Sequence, residues 1–223
     1  MWPSSRRRAV RPSKGMDNMG DVITTEAELR ALYGTPKKLP ALAKAKKIDD
    51  LCRRFITLSS LVCISSCDRE GHQDVSPRGD APGFVHVLDA TTIAIPDRPG
   101  NNKLETLSNI LINPRVALLF IIPGHEETLR LNGVAKISRD PALLAKSAVD
   151  GRLPKAMIVI KVEEIYPHCG KAFRRALVWD RQSRPDQAVP SLAAIALTMA
   201  GIRDRRVDEV AAQVQKGYET ELY

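Results

Sequence analysis

Two neighbouring stretches decide how the fold reads: Arg115-Val116-Ala117-Leu118-Leu119-Phe120-Ile121-Ile122 and Thr128-Leu129-Arg130-Leu131-Asn132-Gly133-Val134-Ala135-Lys136-Ile137-Ser138. The first is apolar but far too short to span a membrane, so it reads as a strand buried on both faces. The second alternates. Leu129, Leu131, Gly133, Ala135 and Ile137 face one way, while Thr128, Arg130, Asn132 and Lys136 face the other, which is the period of a strand.

Working outward from this pair, Leu61–Cys67 is apolar and rich in strand formers. Asp68-Arg69-Glu70-Gly71 is a hairpin-type turn, and Gln73–Ser76 pairs back. Pro77, Gly79, Pro82 and Gly83 predict an irregular loop. Phe84–Leu88 and Thr92–Pro96 predict a second hairpin around Asp89-Ala90. Asn102–Leu111 reads as a helix, with Leu104, Leu107, Ile110 and Leu111 on one side and Asn113-Pro114 as its stop. Beyond the central pair come a short helix over Pro141–Val149 with proline at its first position, a strand over Ala156–Ile165 and a basic helix over Cys169–Leu177. Near the start, Thr24 or Thr25 caps a helix through Tyr33, with Glu28 placed for a capping box. Lys44–Ile56 reads as a second helix.

Six or seven short strands with inserted helices predict a mainly β architecture with peripheral helices (α+β), an antiparallel barrel. There is no βαβ rhythm and no GxGxxG after a strand, which argues against a doubly wound nicotinamide-binding domain. The expected organisation is a disordered basic leader over 1–23, a barrel domain with N-terminal helices over 24–180, and a polar linker with two terminal helices over 181–223. Those helices, over Leu192–Met199 and Val207–Gln215, are expected to pack on the barrel or at a dimer contact.

The charge balance says little about the ligand. The net charge of the 223 residues is +8. Arg6, Arg7, Arg8, Arg11 and Lys14 supply +5 of it within residues 1–16, which hold no acid, and this leaves +3 for the rest. The leader lacks the apolar stretch of a secretory signal. A transit peptide and a later start at Met16 or Met19 remain open, and nucleic-acid binding is not expected from this tail alone. No apolar run reaches the length of a membrane span. Cys52, Cys63, Cys67 and Cys169 form no CxxC pair and the four histidines are scattered, so no metal site is expected. The cysteines read as small buried hydrophobes of a reducing, cytoplasmic protein, with Cys63 and Cys67 on one strand face.

Two segments place cations beside small and amide residues at strand ends: Asp74-Val75-Ser76-Pro77-Arg78-Gly79-Asp80 and Ile95-Pro96-Asp97-Arg98-Pro99-Gly100-Asn101-Asn102-Lys103-Leu104. One reading is a phosphate site in which Arg78, Arg98 and Lys103 meet an anion, with Ser76 and Asn101 adding hydrogen bonds near a helix start. The other is a pair of solvated turns with ion pairs to Asp80 and Asp97. The segment Tyr166–Trp179 gathers His168, Cys169, Lys171, Arg174, Arg175 and Trp179, which suit either an anionic ligand or a solvated basic face.

The ordered set Leu32-Tyr33-Gly34-Thr35-Pro36, Val75–Asp80, Ile95–Lys103, Asn113–Phe120, Glu127–Gly133 and His168–Ala172 resembles the pyridoxamine 5'-phosphate oxidase-like, FMN-binding split-barrel family over roughly residues 25–222. It is closest to a bacterial subgroup of oxidase-related flavoproteins. The resemblance implies an antiparallel split β-barrel that binds FMN at the interface of a homodimer and acts on a small-molecule substrate. It places Val75, Ser76, Pro77 and Arg78 along the flavin, and Pro96, Asp97, Arg98, Asn101, Asn102 and Lys103 around its phosphate. Thr128 and Arg130 fall on the strand that often reaches the partner's flavin. His168, Lys171, Arg174 and Trp179 become candidate contacts to substrate or partner. The family's usual Ser-Arg-Lys stands here as Asn101-Asn102-Lys103, one cation short, with Arg98 as the candidate replacement.

The activity implied is FMN-dependent oxidoreduction, in which Arg78 or Arg130 would stabilise the reduced flavin and the substrate would be anionic or a flat heteroaromatic. No catalytic acid or base is singled out, and the family's C-terminal Arg-x-His pattern is not visible. A non-catalytic flavin-binding or redox-sensing protein, and an F420-dependent reductase, remain alternatives on the same fold.

Overall fold

The computed structural model of the chain describes residues 22–35, 37, 38, 42–180 and 189–223. Nearly all of the basic leader and most of the polar linker lie outside the described residues. The chain divides into two compact units, Met1–Leu42 and Ala43–Tyr223. The first carries α1 (Glu26–Tyr33), which begins with the expected capping box: the Glu28 amide donates to Thr25 Oγ1 at 3.2 Å and the Thr25 amide to Glu28 Oε2 at 3.0 Å.

The second unit is built on seven strands: β1 (Leu61–Cys67), β2 (Gln73–Gly79), β3 (His86–Asp89), β4 (Thr92–Pro96), β5 (Arg115–Ile121), β6 (Thr128–Ser138) and β7 (Met157–His168). They pair antiparallel in the order β2-β1-β5-β6-β7-β4-β3. No ladder joins the two edge strands, so the sheet is open, yet it curls strongly. Arg78 near the end of β2 reaches Asp97 just past β4, although four strands lie between β2 and β4 in the sheet order. This is a split barrel. Its interior is filled by fully buried side chains including Ile64, Phe120, Leu131, Ile158 and Ile160, the alternate residues of their strands.

The helices of this unit are α2 (Asp50–Leu58), α3 (Glu105–Ile112), α4 (Pro141–Lys146), α5 (Lys171–Arg175), α6 (Leu192–Met199) and α7 (Val207–Thr220). Ile56 of α2 and Ile110 of α3 enter the core. No described helix is long and apolar enough to cross a membrane.

Several local expectations are corrected. The helix expected from Lys44 starts at Asp50, because Ala45 exchanges backbone hydrogen bonds with Ile165 of β7 (2.9 and 2.8 Å) and Asp49 caps the helix through the Cys52 amide. The loop expected from Pro77 is strand as far as Gly79. β2 is an edge strand, where a residue without an N–H is tolerated. The helix expected from Asn102 starts at Glu105, because Asn102 and Leu104 take left-handed φ values of 57° and 61°. β5 is not buried on both faces: Arg115 and Ala117 are exposed, alternating with buried Val116 and Leu118. The expected helix over Pro141–Val149 stops at Lys146, and that over Cys169–Leu177 shrinks to α5, because β7 runs on to His168. Cys63 and Cys67 do share a face, but half-buried, and Cys169 is exposed rather than buried because it lies just past the end of β7.

β6 keeps the expected alternation through Gly133, with Leu129, Leu131, Gly133 and Ala135 buried, but its pairing with β7 is irregular there. The register slips between Asn132, opposite Glu164, and Gly133, opposite Val162. The extra residue of this bulge is Glu163 on β7; opposite it, a Cβ at 133 would sit 2.2 Å from the Lys161 carbonyl oxygen, so the close approach requires glycine.

Candidate functional site

The curl of the sheet creates a cleft of about 700 Å³ where the end of β2 faces the loop that leaves β4. On β2, Asp74, Ser76 and Arg78 point to the half-buried side, while Val75 and Pro77 point out. Ten of the twelve residues expected to hold a cofactor line this one cleft: Val75, Ser76, Pro77 and Arg78 from β2, and Pro96, Asp97, Arg98, Asn101, Asn102 and Lys103 from the loop. The two segments that stood apart in sequence therefore form opposite walls of one site.

Crossed ion pairs hold those walls together. Arg78 Nη1 contacts Asp97 Oδ1 at 2.5 Å, with side-chain exposures of 18% and 14%. Arg98 Nε contacts Asp80 Oδ2 at 2.7 Å, with exposures of 16% and 4%. Arg98 also donates to the Ser147 carbonyl at 2.9 Å and lies 5.2 Å from the centre of the Tyr223 ring. The Tyr223 hydroxyl donates to Asp80 Oδ1 at 2.8 Å. Burial alone would raise the Asp80 pKa, but hydrogen bonds from the Ala81 amide, Tyr223 and Arg98 outweigh it and hold the carboxyl below the ordinary aspartate value. Behind Arg98, His86 Nε2 lies 2.8 Å from Ser147 Oγ. Burial, and then the charges of Lys146 and Arg98, push the His86 pKa down.

Against this paired background, three groups stand out. Arg78 Nε is buried and has no hydrogen-bond partner, an arrangement that costs free energy unless something fills it. Lys103 is exposed and makes no ion pair among the described residues. Its amide donates to Asn101 Oδ1 at 3.0 Å, an Asx turn that fixes the loop backbone under it. Lys155, which the sequence reading did not single out, lines the cleft as well. Asp74, also in the wall, accepts from Thr106 Oγ1 at 3.0 Å.

Thr128 and Arg130 do not line the cleft. Leu129 and Leu131 face the core, so Thr128 and Arg130 point to the other side of the sheet. Thr128 is buried, and its hydroxyl has no partner. Arg130 lies 5.9 Å from the centre of the Tyr166 ring. His168 pairs with Thr128 across the β6–β7 ladder, at the far end of β7 from Met157, which pairs with Pro96. Lys171, Arg174 and Trp179 follow it and are exposed. Arg174 pairs with Glu126 at 2.6 Å, and Trp179 Nε1 donates to the His125 carbonyl at 2.9 Å. The candidates thus fall into two groups, of which one forms a cleft within the chain.

Phe84, Leu222 and Lys155 of the cleft wall, and Tyr223 behind it, carry no motif. Their place depends on register and curl, which single residues do not announce. On the β1–β2 turn, Asp68, Glu70 and His72 bring one ligand atom each within 4.8 Å of one another. The 2.8 Å contact between Asp68 and His72 accounts for that exposed cluster.

A match to the pyridoxamine 5'-phosphate oxidase family spans residues 48–169, which includes both strand-end segments of the cleft and Lys155. No curated protein matches the chain. Among solved structures, HupZ of Group A Streptococcus is 19% identical over 54% of this chain and 93% of its own, with a TM-score of 0.45. An FMN-binding protein from Syntrophomonas wolfei is 14% identical over 52% of this chain and 88% of its own, at 0.40. An FAD binding protein from Mycobacterium smegmatis is 18% identical over 56% and 97%, at 0.39.

Proposed function

The chain belongs to the pyridoxamine 5'-phosphate oxidase family, and on that premise we propose that it is a cytoplasmic flavoprotein that binds FMN in the β2–β4 cleft and works, as a homodimer, as an oxidoreductase on a small molecule. The observation that carries this reading is the set of unpaired donors in a cleft whose two arginines are each held by a carboxylate: the buried Nε of Arg78 and the free ammonium of Lys103. An anionic ligand answers both. The cleft volume of about 700 Å³ lies within the range of cofactor sites.

Lys103 and Asn101 are the residues that would hold the phosphate, Arg78 would present Nε, and Val75, Ser76 and Pro77 would form the wall beside the remainder. A bound flavin supplies the hydride chemistry, and the protein supplies position and electrostatics. Arg78 contributes a fixed positive charge, oriented in advance by Asp97. No histidine, cysteine or tyrosine is among the described residues that line the cleft. Proton handling, if the reaction needs it, falls to the substrate or to residues of a second copy. Thr128, Arg130, His168, Lys171, Arg174 and Trp179 are the group we assign to that second copy's contribution, and their cations favour an anionic substrate.

The test is the mass of the small molecule that is released when the purified protein is denatured. The reading expects FMN. Release of F420, or a protein that neither carries nor binds FMN, overturns it. Reduction of the bound flavin by a nicotinamide donor, followed by a screen of acceptors, then separates an enzyme from a sensor. Light scattering should give twice the 24.6 kDa chain mass.

A further inference from the structure

We infer that Lys155 is a phosphate ligand of the cleft, supplying the second mobile cation that the Asn101-Asn102-Lys103 loop lacks. This deepens the flavin reading and rests on it. The loop offers one ammonium where a phosphate monoester carries close to two charges. Arg98 is poorly placed to make up the difference. Its Nε is taken by Asp80, one Nη by the Ser147 carbonyl, and its plane lies near the Tyr223 ring. Recruiting it to a new anion would strip a nearly buried Asp80 of its cation, which is costly. Arg78 is likewise oriented by Asp97 through Nη1, and its buried Nε is without a partner.

Lys155 has none of these commitments. It makes no ion pair or hydrogen bond among the described residues, and it lines the same cleft as Lys103. Its backbone is nevertheless well placed. Pro96 pairs with Met157 at the end of the β4–β7 ladder, and the Asp97 amide donates to the Ala156 carbonyl at 2.9 Å. One residue farther out, Lys155 therefore starts beside the Asp97–Arg98 turn. Its flexible stem delivers a point charge with three donors. Two lysines, one from the loop after β4 and one from the segment before β7, thus line the same cleft as the buried Arg78 Nε. The other acidic groups of the wall do not cancel them. Asp74 is hydrogen-bonded by Thr106, Asp97 is paired with Arg78, and Glu105 sits on the first turn of α3, where the helix terminus favours its charge.

The experiment is titration of the flavin-free full-length protein with FMN and with riboflavin, followed by flavin fluorescence, for the natural sequence, Lys155→Ala, Lys155→Arg and Lys103→Ala. Lys155→Ala should weaken FMN about tenfold, leave riboflavin unchanged, and be largely restored by Lys155→Arg. Unchanged FMN affinity in Lys155→Ala, with Lys103→Ala weakened, overturns the assignment of Lys155 and leaves the flavin reading standing. Equal loss of FMN and riboflavin overturns it too, since the phosphate would not be what Lys155 senses. A natural protein that binds neither flavin overturns both this inference and the reading beneath it.

Discussion

The β2–β4 cleft and the far end of the β6–β7 ladder handle charge in opposite ways. In the cleft, Arg78 and Arg98 are mostly buried, and each has its own carboxylate, Asp97 and Asp80. At the far end, the Arg174 side chain is 77% exposed while it touches Glu126, and Lys171 and Arg175 are exposed. Low-dielectric pairing fixes geometry, and solvated pairing does not. The cleft is therefore organised before any ligand arrives, and the few groups left without partners there point to what it takes up. The far end gains its meaning from whatever covers it, for which we propose a second copy of the chain.

Perturbing the two regions should separate them sharply. The largest effect is expected for Asp80→Ala, which leaves Arg98 without its carboxylate and cuts the Tyr223 contact. It should lower stability by about 3 kcal/mol in chemical denaturation, and a loss below about 1 kcal/mol would show that the cleft is not held by this pair.

The cleft should also be acid-sensitive in two steps. The depressed pKa of His86 means that the folded state binds fewer protons there than the unfolded chain, so stability should start to fall as pH drops below about 6.5. The depressed pKa of Asp80 adds a contribution that is complete above about 4 and lost as pH falls through the folded value. Denaturation midpoints measured against pH should show both steps, and Asp80→Asn should remove the lower one.

A smaller effect is expected at Thr128, whose buried hydroxyl is unpartnered. Thr128→Val should be neutral or gain up to about 1 kcal/mol in a dilute, flavin-free sample. If the second copy uses that hydroxyl, the same variant should weaken dimer formation with FMN. The smallest effect is expected for Arg174→Ala. Its ion pair is solvated, so the melting temperature should not move measurably, and a clear drop would mean that the far end is more ordered than its exposure implies.

How far the sequence could be read follows from the same contrast between local and distant determinants. The Thr25–Glu28 capping box, the alternation of β6 and the turn at Asp68–Gly71 were legible because each depends on residues within a few positions of one another. Pro77 suggested a loop, because its edge-strand setting is known only once β1 is seen to have β5 on its other side. Both strand-end segments were visible as places rich in cations and small residues. Their crossed pairing, Arg78 with Asp97 and Arg98 with Asp80, spans 18 or 19 residues and exists only in the curled sheet. Lys155 was silent for the same reason, since only the Pro96–Met157 register brings it to the cleft.

The central claim is that this cleft holds FMN by its phosphate, and Lys103 tests it most directly because its side chain is exposed and unpaired, so its removal should not disturb the fold. Equilibrium titration of flavin-free protein with FMN, natural sequence against Lys103→Ala, should show affinity at least about tenfold weaker in the variant at an unchanged melting temperature. Equal affinity in the two proteins would contradict the account.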